Sequence, residues 1–165
     1  MRINRKTIYF AKDREDVIIP TKRDEDAGYD IYANFEEDYI AIKPHETKII
    51  PTGLRSAFDK KWFVQLNERG STGTKGIAQR CGVIDSGYRG EWMIPITNTT
   101  NKTLLITKEF IPSKRKDVII YPYDKAICQA ILLEVPKVKC KEVTKEQLME
   151  ISSERGIGKI GSSGK

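Results

Sequence analysis

Histidine is almost missing from these 165 residues: the only one is His45. A Ser–His–Asp or Cys–His system would have to pass through it, and it sits in Ile42-Lys43-Pro44-His45-Glu46-Thr47, which reads as a polar turn between two strands. Cysteine is scarce too. Cys81, Cys128 and Cys140 are odd in number and widely spaced, with no CxxC pair. This excludes a disulfide framework, a zinc ribbon and a thioredoxin-type motif, and leaves three reduced thiols acting as small apolar residues. Zinc hydrolases and deaminases need convergent His or Cys sets that this chain lacks. Hydrolysis here must rest on carboxylates, a hard metal such as Mg²⁺, and cationic or amide donors. No apolar run approaches the ~20 residues of a spanning helix, so no membrane partner is expected. The opening MRINRKTIYFAKDRED has no apolar stretch or cleavage site of a signal peptide, and a cytoplasmic location follows as the expectation. Neither Gly158-Lys159 nor Gly164-Lys165 completes a P-loop. The literal GxGxxG at Gly156, Gly158 and Gly161 has only four residues after it, so no dinucleotide-binding helix can follow.

Against these absences stand 39% hydrophobic and 32% charged residues, enough for one core. The net charge of +6 suits a polyanionic partner, nucleotide or nucleic acid, or simply a soluble lysine-rich surface. Strands are expected at 17–20, 40–42, 47–50, 62–66, 93–96, 103–106, 118–121 and 126–135, separated by Gly, Pro, Asn and Asp. Many short strands without alternating helices mean an all-β sandwich, jelly roll or barrel. One short helix is expected from the capping box Thr144-Lys145-Glu146-Gln147. A Gly/Ser-rich tail, 152–165, ends the chain. The basic stretch 108–116 (KEFIPSKRK) reads as a solvated loop, with a protein or nucleic-acid contact as the alternative.

Five short motifs run through the chain in order: DAGYDIYA at 26–33, ERGSTGTKGI at 68–77, GVIDSGYRGE at 82–91, DKAICQAIL at 124–132 and RGIGKIGSSG at 155–164. Together they resemble the dUTPase family, the homotrimeric all-β kind. The resemblance implies a jelly-roll-like distorted β-barrel with one short helix. It implies a single domain over 1–165 whose C-terminal arm, 152–165, closes over a neighbouring subunit's site. It also implies hydrolysis of dUTP to dUMP and pyrophosphate with Mg²⁺, which limits uracil in DNA and supplies dUMP for dTMP synthesis. No direct nucleic-acid contact is then expected.

The resemblance further assigns roles. Asp30 reaches Mg²⁺ through water. Arg69 grips phosphate, and a planar guanidinium suits that task. Gly70 stands where the family has its first serine; either Ser71 takes over the hydroxyl role or the turn is shifted by a residue. Asp85 aims and activates the water that attacks the α-phosphorus. Tyr88 packs on the deoxyribose and excludes a 2′-OH. Gly82, Val83 and Ile84 offer main chain to uracil, and Gln79 replaces the asparagine that helps read the base. Gln129 contacts phosphate. Arg155 reaches the γ-phosphate, with Gly161 and Ser162 wrapping the triphosphate. Ile160 replaces the phenylalanine that stacks on uracil. Each site would draw the first, second and fourth motifs from one chain, the third from another and the tail from the last. Two alternatives remain: a dCTP deaminase of the same superfamily, and a regulator-binding protein that uses an insertion at 92–123.

Overall fold

Short alternations of apolar and polar residues dominate the first 135 positions, and each becomes a strand with one face inward. The computed structural model describes residues 2–80, 82–109, 111 and 116–158. The chain divides into two units, Met1–Val135 and Pro136–Lys165. All strands among the described residues lie in the first unit.

They form four sheets. Strand β1 (Tyr9–Lys12) pairs antiparallel with β5 (Leu54–Ala57). Strand β10 (Thr103–Thr107) lies between β3 (Tyr39–Ile42), antiparallel, and β11 (Val118–Pro122), parallel. Strand β9 (Met93–Asn98) lies between β4 (Thr47–Pro51) and β7 (Ile77–Gln79). The largest sheet runs β2 (Tyr29–Ile31), β12 (Cys128–Glu134), β6 (Trp62–Asn67), β8 (Val83–Asp85). The architecture is all-β and jelly-roll-like, and the strands do not close into one continuous barrel.

The core follows from period-2 alternation. Ile31, Val64, Leu66, Ile84, Cys128 and Ala130 point inward from the largest sheet, and Ile50, Ile77, Ile94 and Ile96 from the β4–β9–β7 sheet. Trp92 is fully buried; its Nε1 donates to Ser56 Oγ at 3.1 Å and Phe10 packs edge-on against its ring. Because these residues face in, their neighbours Asp30, Asn67, Asp85 and Gln129 all face out on one side of the same sheet.

Several expectations need correction. Residues 17–20 are not a strand: Val17 and Pro20 are buried while Ile18 and Ile19 are exposed. Pro20 has no N–H to give a ladder, and Val17 joins the core without strand pairing. The stretch 92–123 is not an insertion, because it supplies β9, β10, β11 and buried Trp92, Ile94, Leu104 and Tyr121. Outside the strands stand the turn at 99–102, the end residues Trp92 and Tyr123, and the crossover between β10 and β11, of which 110 and 112–115 lie outside the described residues. The third motif is not a two-strand hairpin. Strand β8 pairs with β6, and the chain turns at Asp85, whose carbonyl accepts from Tyr88 N–H at 3.0 Å, before entering β9. One helical turn was not anticipated, α1 (Gly70–Gly73). His45 does sit in a turn, with φ 61. Cys128 is buried as expected, Cys140 is exposed, and Cys81 lies outside the described residues.

In the second unit, α2 (Lys145–Met149) carries the anticipated capping box: Thr144 Oγ1 accepts from Gln147 N–H and Gln147 Oε1 from Thr144 N–H. No helix among the described residues is long and apolar enough to cross a membrane.

Candidate active site

Strand β12 is the organising element, since it is hydrogen-bonded to both β2 and β6. Its register sets Gln129 opposite Asp30 on one side and Asn67 on the other. Arg69 comes two residues after the end of β6 as the N-cap of α1, and its side chain reaches Asp30 on β2. Its guanidinium forks onto the Asp30 carboxylate, Nε to Oδ1 at 3.1 Å and Nη2 to Oδ2 at 3.3 Å, while Nη1 donates to Ala126 O at 3.0 Å. Gln129 Nε2 donates to Glu68 O at 3.1 Å. The first, second and fourth motifs thus meet. A cavity of about 790 Å³ opens beside them, lined by Asp30, Arg69, Gly70, Ser71 and Gln129 together with residues 21–23 and 25–28. A second of about 310 Å³ lies against Asp30, Arg69 and Ser71, with Lys75, Tyr121 and Asp124.

Asp85 is on the same sheet face but not at this cavity. It is level with Phe63 on β6, whereas Gln129 is level with Asn67. Four residues at ~3.3 Å and three strand spacings of ~4.8 Å put Asp85 about 20 Å from Asp30. Gly82 O accepts from Leu66 N–H at 2.8 Å. Val83 is exposed, but the Ile84 side chain is buried, so only its main chain can meet a ligand. Gln79 lies in the β4–β9–β7 sheet, its N–H donating to Glu68 Oε1 at 3.1 Å. Tyr88 is exposed next to the Asp85 turn, its hydroxyl donating to Glu91 O at 3.0 Å.

A model of the dUTPase family matches residues 14–110. The deoxyuridine 5′-triphosphate nucleotidohydrolase of Nautilia profundicola is 33% identical over 155 residues, covering 92% of this chain and 94% of that one. The chain belongs to the dUTPase family. It also aligns at 28% identity with the Pol polyprotein of caprine arthritis encephalitis virus, over 93% of this chain but only 12% of the polyprotein. Among solved structures, the Staphylococcus bacteriophage 80alpha dUTPase with dUpNHpp gives a TM-score of 0.77 at 22% identity, covering 97% of this chain and 99% of that one. Native EIAV dUTPase gives 0.63 at 23% identity, covering 84% and 98%. These structural likenesses carry the fold.

For a dUTPase-family chain, the cavity has an unanticipated lip. Lys22 and Arg23 line it, and Arg23 forks onto Asp26, Nε to Oδ2 at 2.8 Å and Nη2 to Oδ1 at 2.9 Å. Arg23 holds the Asp26 carboxyl below the usual carboxylate range. The run TKRDED before the first motif was the available signal: paired cations beside a family aspartate. Gly28 was missed as well, although a Cβ there would lie 3.0 Å from Gln129 Oε1.

Among the described residues no three His, Cys, Asp or Glu side chains converge on a metal site. A carboxylate such as Asp30 at the cavity edge still fits Mg²⁺, which keeps several waters and takes most other ligands from substrate phosphates. In the second unit Arg155 is exposed, its carbonyl accepting from Gly158 N–H at 3.1 Å, and Gly156 has φ 52. Ile160, Gly161 and Ser162 lie outside the described residues.

Proposed function

We propose that the chain hydrolyses dUTP to dUMP and pyrophosphate in sites shared between copies of itself. The observation that carries this reading is one sheet face bearing Asp30, Arg69 and Gln129 at one corner and Asp85 at another. A triphosphate cannot touch both corners of one chain, so a second copy's Asp85 completes the site, as in the homotrimer that the family resemblance implies. Exposed apolar residues on the outer sheet faces, including Ile49, Met93 and Val83, offer surface for such copies to cover.

Asp85 is the catalytic base in this reading. Its carboxylate orients a water for in-line attack on the α-phosphorus. The water oxygen bonds to phosphorus, the bond to the β-phosphate bridging oxygen breaks, and the water proton leaves by way of the carboxylate. A carboxylate is a weak base at neutral pH, so most acceleration comes from alignment and charge neutralisation. Arg69 supplies positive charge by exchanging Asp30 for phosphate, with Gln129, Ser71 and the amides of the Gly70 turn beside it. Mg²⁺ would disperse the triphosphate's charge, and Asp30 is the residue to meet it through water. Strand β8 is the edge of its sheet, so alternate main-chain groups of Gly82, Val83 and Ile84 are outside the ladder and suited to reading uracil. Tyr88 forms the sugar platform against a 2′-OH. Arg155, Ile160, Gly161 and Ser162 belong to the arm that closes over phosphate and base.

Incubation with dUTP should release pyrophosphate and require Mg²⁺, while dCTP should release no ammonia; ammonia would establish the deaminase reading instead. Asp85→Asn should bind dUTP in calorimetry with turnover reduced by about 10² or more. Near-normal turnover would remove Asp85 from its role.

A regulator-binding reading has narrower support. One solved relative is described as a phage dUTPase that controls transfer of virulence genes. Here the crossover joining parallel β10 and β11 is the candidate contact, anchored at its base by Lys108 Nζ, which donates to Phe35 O at 2.6 Å and lies over the Phe35 and Tyr123 rings.

A further inference from the structure

The turn that carries Asp85 continues through Tyr88-Arg89-Gly90-Glu91 without strand pairing, yet it is densely tied down. The Tyr88 side chain folds back over the main chain it has just left. Its hydroxyl donates to Glu91 O at 3.0 Å, and its ring occupies the space a side chain at residue 90 would take. A Cβ added at Gly90 would lie 2.3 Å from Tyr88 Oη, 2.4 Å from Cζ and 2.8 Å from Cε2, so the whole ring would have to swing away to admit it. Gly90 does not have a positive φ, so backbone freedom is not what requires glycine here; only space is. The next residue fixes the segment from below. Glu91 Oε1 accepts from Thr52 N–H at 3.1 Å and Gly53 N–H at 2.7 Å, and Trp92 N–H donates to Leu54 O at 2.8 Å. Arg89 Nη1 braces the turn from outside through Ser86 O at 2.7 Å and Tyr88 O at 2.9 Å.

We propose that Gly90 and Glu91 are positioning residues that seat the Tyr88 ring, and that this seat sets the preference for deoxyribose over ribose nucleotides. The inference rests on the reading of Tyr88 as the sugar platform. A platform excludes a hydroxyl only if it cannot retreat. A tyrosine on an exposed turn has ordinary rotamer freedom. Contact with Gly90 and the hydrogen bond to Glu91 O remove that freedom before substrate arrives, as preorganisation requires. Glu91 acts at one remove, holding its own carbonyl still by clamping two amides of the Thr52-Gly53 turn.

The test is the ratio of kcat/KM for dUTP to kcat/KM for UTP. Gly90→Ala must evict the ring, and the ratio should fall by about tenfold or more, because UTP turnover rises while KM for dUTP rises. A merely structural defect would lower both substrates together and leave the ratio unchanged. Glu91→Ala should lower the ratio too, and Glu91→Gln, which keeps Oε1 as an acceptor, should restore it. If Gly90→Ala fails to fold by thermal melting, the Glu91→Ala and Glu91→Gln pair decides alone. An unchanged ratio in a folded Gly90→Ala, or equal ratios in the two Glu91 variants, overturns the inference. Failure of the unaltered protein to hydrolyse dUTP at all would instead overturn the underlying reading.

Discussion

Gly28 stands just before β2, two residues from Asp30, the register partner of Gln129, and a side chain there would press on that glutamine. A Cβ at residue 28 would meet Gln129 Oε1 at 3.0 Å and Gln129 Cβ at 3.2 Å. Its φ is not positive, so alanine there adds no backbone strain and acts through the glutamine alone. Gly28→Ala should therefore raise KM for dUTP several-fold, the scale of one displaced hydrogen bond, about 1 kcal/mol. The melting temperature should barely move. Steady-state kinetics on Gly28→Ala, Gln129→Ala and the double variant check this: the double should be no worse than Gln129→Ala, since both act on one contact. The meeting of Asp30, Arg69 and Gln129 was legible at this scale, because they stand in motifs with a fixed order. What was not legible was the role of residues without functional groups. The glycine beside Gln129 and the glycine beneath Tyr88 matter for what they leave empty, and emptiness becomes meaningful only when the neighbour across the gap is known.

Elements divided along a similar line. Strands with sustained apolar alternation, β4, β6, β9, β10 and β12, were anticipated nearly to their ends. Strands β1 (YFAK) and β5 (LRSA) were not, being four residues long with a charge in each. They hold together through pairing and an ion pair, Arg55 Nε to Asp13 Oδ1 at 2.6 Å, which no local pattern announces. The parallel partnership of β10 and β11 was equally hidden, since both are short apolar runs whose local pattern does not distinguish parallel from antiparallel pairing. The Asp13–Arg55 pair carries a pH signature. The hydrogen bond from Arg55 holds the Asp13 carboxyl below its ordinary value. A depressed folded value means that the stabilisation is present above the ordinary carboxylate pKa near 4 and is lost as pH falls through the folded value. Thermal melts of Asp13→Asn and the unaltered protein should thus differ at about pH 6 and converge near pH 2. The gap at pH 6 should shrink in ~1 M salt, because both partners are solvent-accessible. A gap that persists at the acid end would mean that Asp13 acts through packing rather than charge.

For the molecule as a whole, incompleteness is the informative property. No described residue of 136–158 is buried, and Val138, Leu148, Ile151 and Ile157 are exposed apolar side chains in a unit too small to cover them. The first unit has its Asp30–Arg69–Gln129 corner and Asp85 about 20 Å apart on one face. On the shared-site reading proposed above, further copies would answer both features, and a trimer mass is expected by light scattering. Mass alone does not show that sites are shared, whereas complementation does. Asp85→Asn and Arg69→Gln should each be nearly inactive as pure proteins. Exchanged at equal ratio, they form mixed trimers. A site then recovers when its Arg69 comes from an Asp85→Asn chain and its Asp85 from an Arg69→Gln chain. Under random closed-ring assortment this is about one site in four, so activity should return to about a quarter of the unaltered level. If every site used Arg69 and Asp85 of the same chain, mixing could restore nothing, because each chain would carry its own defect into its own site. Recovery that appears only after subunit exchange, and not on brief mixing of preformed trimers, separates assembly from contamination by unaltered enzyme.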